Sequence, residues 1–446
     1  MRILHISTRL ILGGSQENTV LSCIGQARLG HEVHLAFGPI YGPEGSLLAR
    51  VETFNTQVRL GAERVRGVGK LPPAAEAGSP VREICMHVVP SLVREVRPLM
   101  DWRASRELTA LVRALDPDVV HTHSSKAGIL GRGAGWRVKA GALAMSRPRV
   151  VHTIHGPPFM PPQGGALRRW KTVLSNYAYT LAERWAARRC NTIVSVADAM
   201  TREFLRRQIG SPTQYTTVRS GMEIDEFLSP RAGETRAELR ARLGVEPSAF
   251  VVGVVARLTQ HKGHDDMLDA IGDDLKRQPA WRMLWVGDGW WRERLVGRAK
   301  SMGLGVRELD REGGKDRGPG EAGAGAQVIL TGLVAPGQIP GLMRAMDVLA
   351  HPSYREGLPR TVPQALLAGA CPVAYDADGT GEVCRDLQTG RLVRVGDVAG
   401  LGEAIRWCAA EPLARRALVE RGQHEVQQAF SVEAMIEGLD RVYRGR

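Results

Sequence analysis

Glu356 and Gln364 stand eight residues apart in the stretch SYREGLPRTVPQALLAGACPVAYDADGTGEVC, residues 353–384. Gly357 and Pro359 mark a turn. The spacing then predicts a helix from about Arg360 to Ala368 that stops at Gly369 and feeds an apolar strand, Pro372 to Tyr375. The start of a helix presents unpaired backbone N–H groups and the positive end of its dipole, which together suit a phosphate. Eight residues are about two helical turns, so Gln364 shares a face with Glu356. A carboxylate beside phosphates and an amide further along could each hold hydroxyl groups. Pattern alone fits an ordinary surface loop and helix equally well.

About a hundred residues earlier, FVVGVVAR at 250–257 reads as a strand ending on Arg257, followed by Lys262 and Gly263. Two cations fixed at a strand end could clamp a pyrophosphate and stabilise charge on a departing nucleotide without a metal. RMLWVGDG at 282–289 adds a strand and a turn through Gly287. Four histidines fall within 35 residues. His121 and His123 alternate in VVHTH and so share one strand face, and His152 and His155 lie in VVHTIHG. They read either as a metal cluster or as hydrogen-bonded strand-end residues, and no Cys accompanies them. Asp116-Pro-Asp118 could be a metal-binding D-x-D, but Pro117 opens a buried strand and the pair reads better as the close of a helix–strand turn. No metal is expected.

These groups need rigid elements under them. Residues 2–37 read strand, loop, helix (Gln16–Leu29), strand, with Gly13-Gly14 just past the first strand and Ser15 placed to cap the helix. That is a βαβ opening, the signature of a doubly wound parallel sheet, in which ligands approach the carboxyl ends of the strands. Gly13-Gly14 lacks the GxGxxG spacing and also reads as a plain turn. A Gly/Pro/Ala-rich loop is expected over 61–83, and a helix over about 104–115. A Pro-rich loop and a long helix are expected within 157–190, a strand over 191–196, and a second βαβ set from Phe250. A Gly/Glu/Arg-rich insertion is expected at 304–326, and three helices, at about 398–409, 412–427 and 432–443, close the chain, the last capped by Ser431.

The stretch opening at Glu356 resembles the donor-site signature of family 4 retaining glycosyltransferases of the GT-B fold. Glu356-Gly-Leu-Pro matches its first half, and Ala368-Gly-Ala-Cys-Pro-Val with Asp378-Gly-Thr-Gly-Glu382 matches its end; Asp376-Ala-Asp378 thereby finds a place there rather than in a metal motif. The chain departs at Gln364, where the family usually has a second Glu. An amide still accepts and donates hydrogen bonds but gives up the charge-assisted one, roughly twice as strong. Arg257 and Lys262 stand at a comparable separation in the family, and HTHSSKAG and HTIHG resemble first-domain segments that line the interdomain cleft.

The resemblance implies two Rossmann-like domains facing a cleft: 1–220 on the acceptor side, 221–430 on the donor side, and 431–446 as a terminal helix returning to the first domain. It implies transfer of a hexose-type sugar from a nucleotide diphosphate sugar with retention of configuration. Glu356 would orient the sugar, Gln364 the ribose, and Arg257 and Lys262 the diphosphate, with help from amides near Gly357 and Leu358. Gly13, Gly14 and Gly287 would lie on the donor path. His155 would support the reacting sugar, since a neutral imidazole can accept from a sugar hydroxyl. His123 and Lys126 would face the acceptor. An epimerase of the same fold and a noncatalytic nucleotide-sugar binding protein are the competing readings.

Composition narrows the partners. The formal net charge of +13 calls for an anionic one. Residues 161–210 carry nine Lys/Arg against three Asp/Glu, mixed with Trp170, Tyr177 and Trp185. Such a surface suits an anionic membrane interface, although a helix with an aromatic core face and a solvated basic face is the slightly favoured reading. No nucleic-acid recognition motif is present. Six cysteines form no CxxC pair, MRILHIS lacks a signal-peptide shape, and no run reaches the length of a membrane span. The expectation is a cytoplasmic protein without cofactors, peripheral at the inner membrane face, with a saccharide or lipid-linked acceptor from envelope or exopolysaccharide assembly.

Overall fold

Short runs of Val, Ile and Leu with few charges make the strands. In the computed structural model, which describes residues 1–40, 45–61, 80–141, 148–159, 165–309 and 325–445, they form two parallel sheets. Most of the loop expected over 61–83, the end of the Pro-rich loop and most of the 304–326 insertion lie outside the described residues. The first sheet holds β1 Arg2–Ser7, β2 Glu32–Phe37, β3 Cys85–Val88, β4 Val119–His123, β5 Arg149–Ile154, β6 Thr192–Ser195 and β7 Tyr215–Thr217. The second holds β8 Phe250–Val255, β9 Trp281–Val286, β10 Val306–Glu308, β11 Val328–Leu330, β12 Val348–His351, β13 Cys371–Tyr375 and β14 Arg391–Val393.

The sheet orders are β3-β2-β1-β4-β5-β6-β7 and β10-β11-β9-β8-β12-β13-β14. Every residue of β4 and of β13 is buried, as a parallel sheet flanked on both faces by helices requires. Strand order reverses between β1 and β4 in the first sheet and between β8 and β12 in the second. At such a switch point the loops leave in opposite directions and open a crevice at the carboxyl ends. Gly13 and Gly14 follow β1, His123 ends β4 and Lys126 follows it. Arg257, Lys262 and Glu356 follow β8 and β12.

The chain divides into two compact units, Met1–Glu223 with Phe430–Arg446, and Ile224–Ala429. The last helix, Val432–Arg444, therefore belongs to the first unit. Ser431 caps it, its Oγ accepting from the Ala434 N–H at 3.0 Å. Gly25 makes room for it, since a Cβ there would lie 2.6 Å from the Ile436 side chain.

Three local expectations need correcting. The first helix runs Gly14–Arg28 with Gly13 in the cap position; Ser15 falls inside the first turn and its hydroxyl donates to Gln16 Oε1 at 2.8 Å instead of capping. The helix expected from 104 begins at Pro98, because proline at the first helical position has no N–H to waste. The long helix Ala166–Ala187 turns Thr180, Glu183 and two alanines inward, while Trp170, Tyr177 and Trp185 are exposed and Tyr179 is half-buried, the reverse of an aromatic core face. Asp118 does close a helix–strand turn, its Oδ2 accepting from the Arg2 N–H at 2.8 Å.

Candidate functional site

In the second unit, two glycines let loops after neighbouring strands press together. Gly263 follows a tight turn, Gln260–Lys262, and adopts a left-handed φ of 69°; a Cβ there would come within 2.1 Å of the Pro352 carbonyl. Any other residue would push the Lys262 loop away from the segment after β12. Tyr354 N–H donates to the His261 carbonyl at 2.9 Å and Ser353 Oγ to the same oxygen at 3.2 Å, fastening the two loops. Gly287 does similar work beside Arg257. At φ 140° it leaves β9, and a Cβ there would lie 2.2 Å from the Ala256 carbonyl.

The outcome is an ion pair between Lys262 Nζ and Glu356 Oε1. His351, the last residue of β12, points Nε2 at the same carboxylate oxygen from 3.1 Å. Burial alone would raise the Glu356 carboxyl. The hydrogen bond from His351 and the Lys262 charge outweigh it and hold the group well below the usual carboxylate range. The Glu356 N–H donates to Asp378 Oδ2 at 2.7 Å, and the Gly357 carbonyl accepts from the Gly379 N–H at 3.0 Å, so the Gly-rich loop 378–382 buttresses the turn. Tyr354 and Tyr375 both donate to Asp266 Oδ2, at 2.7 and 2.6 Å, tying the same segment to the helix His264–Arg277.

The helix after this turn is Thr361–Ala368, stopped by Gly369 at φ 89°. Arg360 occupies its cap position without a side-chain cap hydrogen bond. Gln364 is half-buried in its first turn, and Arg257 is exposed at the exit of β8. The structure thus brings Lys262, Glu356 and Gly357 together and sets Gln364 on the adjoining helix. His351 was given no role in the sequence reading; its signal was its position at the end of an apolar strand five residues before Glu356.

The first unit holds a chain of imidazoles. His123 Nδ1 lies 3.2 Å from His155 Nε2, and His123 Nε2 lies 2.9 Å from His5 Nδ1. His5 Nε2 reaches Gln26 Oε1 at 2.7 Å, Gln26 Nε2 donates to the Tyr443 hydroxyl at 2.9 Å, and that hydroxyl meets His121 Nδ1 at 2.6 Å. His121 Nε2 ends the chain on Thr153 Oγ1 at 2.7 Å. One proton arrangement satisfies all these contacts. The Gln26 oxygen accepts, so His5 donates from Nε2 and accepts at Nδ1; His123 then donates from Nε2, and His155 donates to it from Nε2. Burial keeps these rings neutral: His5 is pushed down to about 4 and His121 and His123 well below the ordinary histidine value.

His5, His121 and His123 lie close enough together to hold a metal ion, but all six of their ring nitrogens have the hydrogen-bond partners just named. His152 stands apart, bonded to Thr122. His5 was missed in sequence, although its register partner across the sheet is His121. Lys126 is committed elsewhere: its ammonium pairs with Asp101 Oδ1 at 2.5 Å and meets the Glu95 carbonyl. Gly13 and Gly14 are exposed at the start of the first helix.

Residues 13–221 match the family described as a glycosyl transferase 4-like domain, and residues 249–411 match the one described as glycosyl transferases group 1. The putative glycosyltransferase EpsD of Bacillus subtilis (strain 168) is 22% identical over 340 residues, 76% of this chain and 79% of that protein. The Escherichia coli UDP-Gal:alpha-D-GlcNAc-diphosphoundecaprenol alpha-1,3-galactosyltransferase is 24% identical over 313 residues, 70% of this chain and 71% of that one. In fold, Anabaena HepE, solved in complex with UDP, superimposes with a TM-score of 0.71 at 18% identity over the whole of both chains. With family matches over most of its length and the paired parallel sheets of the GT-B fold, the chain belongs to the group 1 glycosyl transferases, enzymes that act on sugar nucleotides.

Proposed function

We propose that this enzyme is a retaining hexosyltransferase that uses a nucleotide diphosphate sugar and needs no metal. The observation that carries the reading is the Lys262–Glu356–His351 cluster at the switch point of the second sheet, next to a helix start without a side-chain cap. Arg257 and Lys262 hold the diphosphate, assisted by amides near Gly357 and Leu358 and by the turn at Gly287. Glu356, kept ionised, accepts from hydroxyls of the sugar, and Gln364 from those of the ribose. Gly13 and Gly14 offer backbone on the donor path, and His155 supports the reacting sugar. The bond from the anomeric carbon to the diphosphate oxygen breaks, its electron pair leaving with the diphosphate. The acceptor oxygen bonds to that carbon on the same face, and its proton passes to the departing diphosphate. Fixed cations serve such a step because they stabilise charge that develops only as the bond breaks.

The E. coli relative's donor and acceptor, and the UDP bound by HepE, favour a uridine nucleotide and a saccharide or lipid-linked acceptor in envelope or exopolysaccharide assembly. No helix among the described residues is long and apolar enough to cross a membrane. The reading therefore has the enzyme in the cytoplasm, meeting such an acceptor at the inner membrane face. A thermal-shift panel of nucleoside diphosphates and their sugars, with and without EDTA, tests it, since binding to the folded form raises the melting temperature. One strong, EDTA-insensitive shift is expected, followed by nucleotide release only when acceptor is supplied. Donor turnover without acceptor would instead identify an epimerase, and binding without turnover a noncatalytic binder.

A further inference from the structure

The helix Ala166–Ala187 has two faces, and among the described residues the outer one is left uncovered apart from the edge of the Trp185 ring, which lies against Gly133. Leu167, Trp170, Leu174, Tyr177, Leu181 and Trp185 recur at intervals of three and four residues and so form one stripe along the helix. They are 40 to 73% exposed. A globular protein has no reason to lay so long an apolar stripe in water, and exposed patches of this kind mark contact surfaces. The charges around the stripe are of one sign. Arg169, Lys171, Arg188 and Arg189 flank or follow it, and Arg189 lies over the Trp185 ring at 4.0 Å. The single acidic residue between 166 and 189 is Glu183, which is buried and paired with Arg132 at 2.6 Å.

A second patch repeats this chemistry. Val96, Leu99 and Trp102 are exposed at the start of the helix Pro98–Leu115, among exposed Arg94, Arg97, Arg103 and Arg106, with Glu95 the one exposed acid between 94 and 106. The helix Ser125–Gly141 packs against both of these helices, which places all three in one layer of the first unit. Both patches begin at the carboxyl edge of the sheet, since each helix starts in the connection leaving a strand of that sheet.

We propose that this layer docks on an anionic lipid bilayer, with the Leu167–Trp185 stripe lying in the interface plane and the surrounding arginines and lysine on acidic headgroups. An apolar stripe rich in Trp and Leu with a basic margin and no exposed acid is what an interfacial helix needs. Nucleic acid would use the arginines but not the leucines. The proposal deepens the lipid-linked acceptor reading and rests on it for its purpose; the docking itself is measured without sugar transfer.

The test is sedimentation of the full chain with phosphatidylcholine vesicles, with and without phosphatidylglycerol, for the wild type, Trp170→Ser/Leu174→Ser and Arg169→Glu/Lys171→Glu. The wild type is expected to bind the anionic vesicles, and each double variant to bind at least about tenfold more weakly, with its melting temperature and nucleotide-induced shift unchanged. Equal binding by all three proteins overturns the proposal, as does no vesicle binding by the wild type. A wild-type dimer that Trp170→Ser/Leu174→Ser turns into a monomer would make the stripe an interface between copies. Binding to a single-stranded oligonucleotide in place of vesicles would make the surface one for nucleic acid. Loss of the nucleotide shift with vesicle binding intact would fault the donor-site reading instead and leave the docking face standing.

Discussion

His351 Nε2 lies 3.1 Å from Glu356 Oε1, so a strand-end imidazole and the Lys262 ammonium share one carboxylate oxygen. The pair keeps Glu356 ionised despite its burial. The sign follows from the lowered carboxyl: its contribution to stability is present above the usual carboxylate range and is lost as pH falls through the folded value. His351→Ala should therefore raise the Glu356 carboxyl toward the usual range and cost roughly 1.5–3 kcal/mol for the lost contact to a charged group, while the Lys262 ammonium still holds the same oxygen. The acid limb of kcat/KM should move to higher pH. An unchanged limb with unchanged stability would remove His351 from the site.

Arg257→Ala and Lys262→Ala should each cost roughly 2–4 kcal/mol of transition-state stabilisation, by analogy with lost oxyanion donors. They should differ in stability. Arg257 is exposed, and its loss should leave the melting temperature nearly unchanged. Lys262→Ala leaves Glu356 with only His351 and should lower it. Single-turnover rates with saturating donor separate chemistry from binding. Full turnover in both variants would show that the clamp is elsewhere.

Gln364→Glu restores the acid that the family usually carries at this position. A carboxylate accepts from two ribose hydroxyls more strongly than an amide does, by a factor of about two per bond. The nucleotide Kd should fall or stay level in calorimetry. A severe loss of binding would mean the amide N–H is needed, and the ribose assignment would have to be given up.

Much of this was legible in the chain itself. The strand β8, FVVGVV, is an uninterrupted apolar run, β4 and β5 each carry a Val-Val pair ahead of their histidines, and the turn chemistry around Glu356 and Gly369 gave the loop, helix and strand order directly. The pairing of Lys262 with Glu356 was not, because 94 positions separate them and their loops meet through the close approach of Gly263 to Pro352 and the bonds of Ser353 and Tyr354 to the His261 carbonyl. Lys126 looked available in sequence because Asp101, its partner, lies 25 residues earlier on another helix. The exposed stripe at Leu167–Trp185 was ambiguous because helical spacing marks an apolar face without saying whether the fold covers it.

Tyr443 is the least visible of these groups. It stands in the last helix, yet its hydroxyl accepts from Gln26 and meets His121 in the middle of the first sheet. Tyr443→Phe removes both contacts and strands two buried polar groups. It should cost about 1–3 kcal/mol, read as a lower denaturation midpoint at constant slope. Hydrogen exchange should quicken in the helix Gly14–Arg28 and in β4. A neutral outcome would mean that water replaces the phenol and that the chain of imidazoles does not depend on it.

The buried histidines should make the fold acid-sensitive well above the carboxylate range. His5 and His264 are each pushed from 6.5 down to about 4, and His121, His123 and His152 well below 6.5, in every case first by burial. Because the folded values are lowered, the unfolded chain binds more protons between the two values. Stability is then complete above about pH 6.5 and falls as the pH drops toward 4, at roughly 1.4 kcal/mol per unit for each ring that must stay neutral. The melting temperature should therefore drop steeply between about pH 6.5 and pH 5, before the carboxylates titrate. Tyr443→Phe should shift the whole curve downward without removing its slope, since the rings stay buried. A flat profile over that window would mean that these imidazoles bind protons in the native fold as they do in the unfolded chain, and the proton order assigned to His5, His123 and His155 would then be wrong.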